Sequence, residues 1–267
     1  MANGPTLSPS IQETLKQLEL SLVLASETKN FVDQADEVSL PSWPEFMMHD
    51  EVANKLWFRM NRVHADFQFA LVEKKSDRWV AVGNSIPVYW DQALTDLPDT
   101  GWDWALSTGM GSNKSSNLLC ALAIQILPDY RGRALSSLMV NIMKQLGVNA
   151  GLHKLIAPIR PNRKSDYPLL DMDTYLSWKK GAERFDPWLR VHERLGAQFL
   201  KVCPEAMVIK GSVSEWESWT GLSFQSSGEY IIPGALKPVK IDIEKDFGVY
   251  VEPNVWFIHA STPDAHN

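Results

Sequence analysis

Leu118-Leu119-Cys120-Ala121-Leu122-Ala123-Ile124-Gln125-Ile126, then Leu127-Pro128-Asp129-Tyr130, then Arg131-Gly132-Arg133-Ala134-Leu135-Ser136-Ser137, is the stretch on which the fold of this chain turns. Its first part is an apolar run of strand length that ends at a proline-containing turn. Beyond the turn Leu135, Leu138, Met139, Ile142 and Leu146 recur at helical spacing, and Gly147 stands where a left-handed C-cap is expected. A strand therefore delivers a helix N-terminus, whose first N–H groups lack internal partners and favour an anion such as a diphosphate. Small residues at Gly132, Ala134 and Ser136 would let an anion approach the backbone, and Arg131 and Arg133 add positive charge. Each charge-assisted hydrogen bond contributes roughly 1.5–3 kcal/mol. An ordinary strand-to-helix connection would carry the same small residues for packing alone.

The segment from Pro128 to Ser136 resembles the acyl-CoA pyrophosphate loop of the GNAT superfamily of N-acetyltransferases. That pattern, Gln/Arg-x-x-Gly-x-Gly/Ala, reads here Arg131-x-x-Ala134-x-Ser136, with both glycine positions changed. The resemblance implies that acetyl-CoA or another acyl-CoA is the co-substrate. Its phosphates and thioester arm would lie along Ile126, Arg131, Gly132, Arg133, Ala134, Leu135, Ser136 and Ser137. It also implies an α/β (α+β) fold: a mixed, mostly antiparallel sheet flanked by helices and splayed at its central parallel strands.

A second constellation lies downstream. Asp186-Pro187-Trp188-Leu189-Arg190-Val191-His192-Glu193-Arg194-Leu195-Gly196 opens with an N-cap and a first-turn proline and closes on glycine. Trp188, His192 and Leu195 share one face, so His192 points inward if that face is buried. A lone inward histidine is ordinarily a core residue. Val191-His192-Glu193-Arg194-Leu195-Gly196-Ala197 is, however, similar to the superfamily's motif Leu-Tyr-Glu-Lys-Leu-Gly-Phe, with His192 in place of the tyrosine that protonates the departing thiolate. The resemblance thus implies a catalytic His192, which could also serve as base or bind a carboxylate. With Arg160-Pro161-Asn162, Trp216-Glu217-Ser218-Trp219 and Gly228-Glu229-Tyr230, the similarity runs from about Leu118 to His259 and is to a bacterial branch of the superfamily.

Outward from these motifs, the 267 residues suffice for a large core, and the net charge of −6 argues against a nucleic-acid surface. Only Cys120 and Cys203 are present, as in a protein of the reducing cytoplasm. No basic n-region with an apolar core opens the chain, and no run of about 18 apolar residues occurs, so neither export nor membrane insertion is expected. The histidines His49, His64, His153, His192, His259 and His266 lack metal-ligand spacing, and no metal is expected. Eleven tryptophans suggest apolar walls around a cavity.

Residues 1–40 read as an N-terminal extension, disordered to Leu7 and then one helix carrying Ile11, Leu15, Leu18 and Leu22 on a face. Residues 41–267 read as a single domain, opening with an Asp50-capped helix and a hairpin of Phe67–Leu71 with Trp79–Val88. Tyr89 to Ser116 has no clear periodicity and reads as a tryptophan-containing loop or lid, in which Trp90 would face an acceptor. His153 to Arg160 is a strand that Pro158 prevents from pairing along its whole length. Residues 161–185 form an insertion whose charges, with Arg160, Arg163 and Lys164, could meet the CoA 3′-phosphate or an anionic acceptor. Extended C-terminal strands follow.

No carboxylate lies on the central strand, which leaves water, His192, Asp166 or Glu229 as the general base. The expected activity is transfer of an acetyl or other short acyl group to a small-molecule amine, by a protein that could form a homodimer. The alternatives are a non-catalytic acyl-CoA-binding module, a malonyl-CoA decarboxylase, or acyl transfer to a carrier-protein thiol.

Overall fold

In the computed structural model, which describes residues 5–260, the chain enters through α1 (Pro9–Gln17), whose Ile11 and Leu15 are buried. The helix stops short of the expected Leu22 because Glu19 adopts a left-handed conformation (φ 53°) and turns the chain into β1 (Leu20–Leu24). Residues 1–40 are consequently more than an extension: β1 is the edge strand of the main sheet, and α2 (Phe31–Ser39) lays Phe31, Ala35 and Val38 on Ala70 and Val82. Of the segment Met1–Leu7 expected to be disordered, residues 1–4 lie outside the described residues, as does His266.

Asp50 caps α3 (Glu51–Val63) by accepting the Ala53 N–H at 2.7 Å. β2 (Gln68–Glu73) and β3 (Trp79–Val88) form the expected hairpin. Both strands are covered on both faces, so nearly every residue is buried. Gly83 marks a close approach, since a Cβ there would sit 2.5 Å from the Phe69 ring. The expected loop between Tyr89 and Ser116 instead contains α4 (Gly101–Gly111). Apolar residues surround this helix, which hides its period from the sequence. Gly109 is there because a side chain would collide with Ile86 at 2.5 Å.

β4 (Leu118–Ile126) and α5 (Leu135–Asn149) fall where the opening stretch puts them, except that Gly147 is inside the helix. A Cβ at Gly147 would lie 2.9 Å from the Leu152 carbonyl, and the left-handed glycine after the helix is Gly151 (φ 76°). β5 (Lys154–Ile159) follows. The insertion holds α6 (Met172–Ser177) and a minimal hairpin of β6 (Lys179–Lys180) with β7 (Glu183–Arg184). Tyr167, Tyr175, Trp178 and Phe185 pack edge to face within it. Then come α7 (Pro187–Arg194), β8 (Gln198–Gly211), α8 (Val213–Thr220) with its Ser212/Glu215 capping box, β9 (Gly228–Tyr230), β10 (Val239–Asp242) and β11 (Phe247–Ala260).

The main sheet runs β1-β2-β3-β4-β5-β11-β10-β9, with β8 also paired to β11. All of its pairings are antiparallel except β4 with β5. This is the mixed, mostly antiparallel sheet flanked by helices that was expected. α1 and α5 cover one face, where Leu135, Met139, Ile142 and Met143 are buried, and α3, α4 and α8 cover the other. Among the described residues no helix is long and apolar enough to cross a membrane.

Candidate active site

The two parallel strands pair only at Leu119 with Leu155 and Cys120 with Ile156, and beyond that they part. The cause is visible in the neighbouring ladder. Between β3 and β4 the register jumps from Asn84 opposite Ala123 to Ser85 opposite Ala121, which leaves Leu122 as an extra residue. Such a bulge bends its strand. On the other side, Pro158 has no N–H to offer, and β5 pairs with β11. A cleft of about 680 Å³ opens between the strands, lined by β4 from Ala121 to Ile126, by β5 from Ala157, and by Trp188 and His192 of α7.

Backbone groups of β4 face this cleft. The Leu122 carbonyl accepts the Trp102 indole N–H at 3.0 Å, and the Ile126 carbonyl accepts Arg131 Nε at 3.3 Å. Alternation along the strand places the Ile124 N–H on the same edge.

At the end of β4 the loop turns through Gly132 (φ 78°) and Ala134 (φ 59°) into α5. Arg131 N–H is held by the Pro128 carbonyl and Ser137 N–H by the Ala134 carbonyl, so neither amide is free. Between them, the amides of Gly132, Arg133, Ala134, Leu135 and Ser136 find no acceptor among the described residues. A Cβ at Gly132 would meet nothing within 4 Å. Five adjacent donors at a helix N-terminus with open space in front of them fit a diphosphate. Ile126, Arg131 and Ser136 line the cleft, whereas Leu135 turns into the core and Arg133 lies over the Tyr130 ring at 4.7 Å. The Tyr130 hydroxyl in turn donates to Glu73 at 2.8 Å.

His192 is held on the cleft wall by the start of α7. Buried Asp186 accepts the N–H groups of Trp188 and Leu189 at 2.9 and 3.1 Å through one oxygen, and Arg163 N–H and the Tyr175 hydroxyl at 2.9 and 2.7 Å through the other. The imidazole is 2% exposed, with the Trp188 ring edge-on at 4.3 Å. Its Nδ1 lies 2.8 Å from His259 Nε2, and its own Nε2 has no partner. Burial, then the neighbouring His259, holds His192 well below the usual histidine range, so the ring is neutral at pH 7. His259 is pushed down to about 4 by burial and then by Lys144.

The cleft lining also contains residues that the sequence did not single out. Trp43 and Trp57 are among them, and Trp57 stacks on Trp102 with ring centroids 5.8 Å apart. Arg160, which the sequence did single out, also lines the cleft, paired with fully buried Glu252, which accepts the Tyr250 hydroxyl as well. Burial, then Asp33, raises the carboxyl of Asp36, which with Glu252 supplies the carboxylates of the lining. Gln125 is buried there with its Oε1 unpartnered.

Other expected residues stand elsewhere. Trp90 is outside the cleft, with its indole N–H donating to the Ala93 carbonyl at 3.0 Å. Arg163 pairs with Asp166 at 2.9 Å and lies over Phe185, and Glu229 faces Lys240 on the outer hairpin. Lys164 is buried, its ammonium donating to the carbonyls of Tyr167 and Leu236 at 2.8 and 2.7 Å. These bonds tie the insertion to the body of the protein and leave no charge for a phosphate. Asp166 and Glu229 are likewise absent from the cleft lining, which removes both as bases. No sequence signal marked His259, since its partner is 67 residues away and only the sheet brings them together.

No family model matches the chain. It is 33% identical over 247 aligned residues to an arginine N-acetyltransferase of Aspergillus versicolor, covering 81% of this chain and 84% of that protein. Among solved structures it is similar in fold to the loading GNATL domain of CurA from Lyngbya majuscula, with TM-score 0.57 and 20% identity, covering 90% of this chain and 97% of that one. It is also similar to the GphF GNAT-like decarboxylase in complex with isobutyryl-CoA, with TM-score 0.55 and 13% identity, covering 91% and 99%.

Proposed function

The chain belongs to the GNAT superfamily of N-acetyltransferases, and from that premise we propose that it moves an acetyl or other short acyl group from CoA to the amine of a small molecule. The observation that carries this reading is the open wedge between β4 and β5, ending on the five unpaired amides from Gly132 to Ser136. The diphosphate of CoA sits on those amides with Arg131 beside it. The pantetheine arm runs along β4 in the place of the missing strand, and the Ile124 N–H polarises the thioester carbonyl. The acceptor enters from the tryptophan-lined end, so that amine and carbonyl meet beside His192.

Arginine is the first acceptor to test, because the Aspergillus versicolor relative is an arginine N-acetyltransferase. The cleft offers suitable chemistry for a guanidinium in Asp36 and the faces of Trp43 and Trp57. The buried thiols Cys120 and Cys203 suit a reducing compartment such as the cytoplasm.

The test is thiol release from acetyl-CoA across a panel of amino acids and polyamines, with the products identified by mass spectrometry. Stoichiometric acylated amine is expected. Acyl-CoA binding with no thiol release would leave only a binding module, and loss of carbon dioxide from malonyl-CoA without an acceptor would replace the transferase by a decarboxylase.

A further inference from the structure

Two amide side chains reach the cleft from strands on either side of the wedge, and each has a buried oxygen without a partner. On β4, Ile124 and Ile126 pack with the core beneath α5, so Gln125 between them faces the other side of the sheet. On β11, Tyr250 and Trp256 belong to the core beneath α3 and α4, and Asn254 shares their face. Val255 pairs with Ile159, which sets Asn254 beside Arg160 just past the end of β5. Gln125 and Asn254 thus line one side of the same cleft, 5% and 2% exposed.

The Asn254 amide has a fixed orientation. Its Nδ2 donates to the Pro158 carbonyl at 3.2 Å, and a carbonyl can only accept, so the atom left without a partner is Oδ1. Gln125 Oε1 is buried without a partner as well. Bare buried acceptors are destabilising, and folded proteins carry few of them. Two on one cleft wall mark the place of donors that the protein does not itself supply.

The surrounding charges say which donors fit. Arg160 is engaged by Glu252 in an ion pair and by the Gly234 carbonyl, so β5 presents no free charge between the two amides. Tyr250 donates to Glu252 while accepting the Leu236 N–H at 2.8 Å, which completes that inner network. The charge left on this side of the cleft is the carboxylate of Asp36. Two amide oxygens, a carboxylate and the faces of Trp43 and Trp57 suit a flat cation with donors on several edges. A guanidinium has five N–H groups in one plane, whereas an ammonium is a compact charge that holds its water more strongly.

We propose that the acceptor is held by a guanidinium whose N–H groups donate to Gln125 Oε1 and Asn254 Oδ1, and that these two residues set a preference for guanidino over simple ammonium acceptors. The role in a reaction rests on the acyl-transfer reading above, but the recognition itself needs no turnover.

L-Argininamide and L-lysinamide differ chiefly in that head group, and neither has a carboxylate. Isothermal titration of each into the full-length protein, with and without CoA, reads the recognition directly. Argininamide should bind at least about 10-fold more tightly, the worth of one hydrogen bond to a charged group. Gln125→Leu and Asn254→Ala should each weaken argininamide about 10- to 100-fold and narrow its lead over lysinamide. Gln125→Glu, which keeps an oxygen and adds a charge, should bind argininamide at least as tightly as the wild type. Because Asn254 also holds Pro158, Gln125→Leu carries the test if Asn254→Ala does not fold. Equal affinities in the wild type, or undiminished argininamide binding in folded Gln125→Leu, would overturn the proposal. So would a crystal structure with argininamide bound in which both oxygens hold water only. If argininamide binds as stated but no thiol is released from acetyl-CoA, the transfer reading fails and the recognition stands. If both compounds are acylated with equal kcat/KM, the transfer reading stands and the recognition fails.

Discussion

Single side chains in this structure hold protons and conformations that isolated residues give up. Asp103 of α4 has a buried Oδ1 with no hydrogen-bond partner, and burial followed by the neighbouring Asp50 pushes its carboxyl up to about 8. The ordinary value is 3.8, so the folded protein holds this proton over a window in which the unfolded chain has lost it. Stability contributed by the protonated form is therefore present at acid pH and lost as pH rises from about 4 to about 8, with a slope of at most ~1.4 kcal/mol per unit. Partial exposure of Asp103 makes the real slope a fraction of that. Asp103→Asn removes the titration, so its urea midpoint should gain on the wild type steadily between pH 5 and 8; a constant difference would contradict the assignment. Ala134 presents a different tension. It sits at φ 59° where the family pattern has glycine. Left-handed backbone costs a residue with a Cβ roughly 1–3 kcal/mol, so Ala134→Gly should raise the urea midpoint by the equivalent of about 1 kcal/mol. A lowered midpoint would show that the loop is not strained. The αL requirement could be suspected from the motif, but the proton held by Asp103 could not, because Asp50 is distant in sequence.

Among the elements, β4, its turn and α5 were legible because one apolar strand and one apolar helical face were separated by a proline turn. α7 was legible because its cap, its first-turn proline and its closing glycine stand in order. α4 was not, since tryptophans and glycines that fit the packing of both α3 and β3 give it no single apolar stripe. β1 was hidden for a related reason: its residues continue the helical spacing of α1, and only the left-handed Glu19 ends the helix. The expected anionic subsite in the insertion failed because Lys164 is spent on two buried carbonyls and Arg163 on Asp166. Asp186 joins that insertion to α7. Replacing it with alanine strips acceptors from two helix N–H groups, one loop N–H and a buried hydroxyl, and should cost about 2–4 kcal/mol. For a chain of this size that is a melting-temperature drop of roughly 5–15 °C. Calorimetry showing a loss under ~1 kcal/mol would mean that water replaces these bonds. Because the same cap sets the angle of α7, kcat should fall in Asp186→Ala even below its melting temperature.

At the scale of the whole molecule, a sheet that is continuous on both flanks is open in the middle, and the opening is where the chemistry is placed. The mixed sheet and its splay could be expected from the resemblance, and the phosphate loop from the residues themselves. Apolar tryptophan walls and a ligand-facing Arg160 could also be expected, but Glu252 and His259 could not, because both lie on β11 and only its antiparallel return beside β5 brings Glu252 to Arg160. A ligand that fills the gap supplies the missing strand, so it should stabilise the entire domain. Acetyl-CoA at about 100 times its dissociation constant adds roughly 2.7 kcal/mol, which differential scanning should register as a melting-temperature rise of several degrees. An unchanged melting temperature at millimolar acetyl-CoA would contradict binding to the folded state. The most direct test of the central claim is a crystal structure with CoA bound. The account predicts the diphosphate on the amides from Gly132 to Ser136, the pantetheine between β4 and β5, and the sulfur beside His192. CoA bound elsewhere, or strands β4 and β5 closed on each other beyond Cys120 and Ile156, would contradict it.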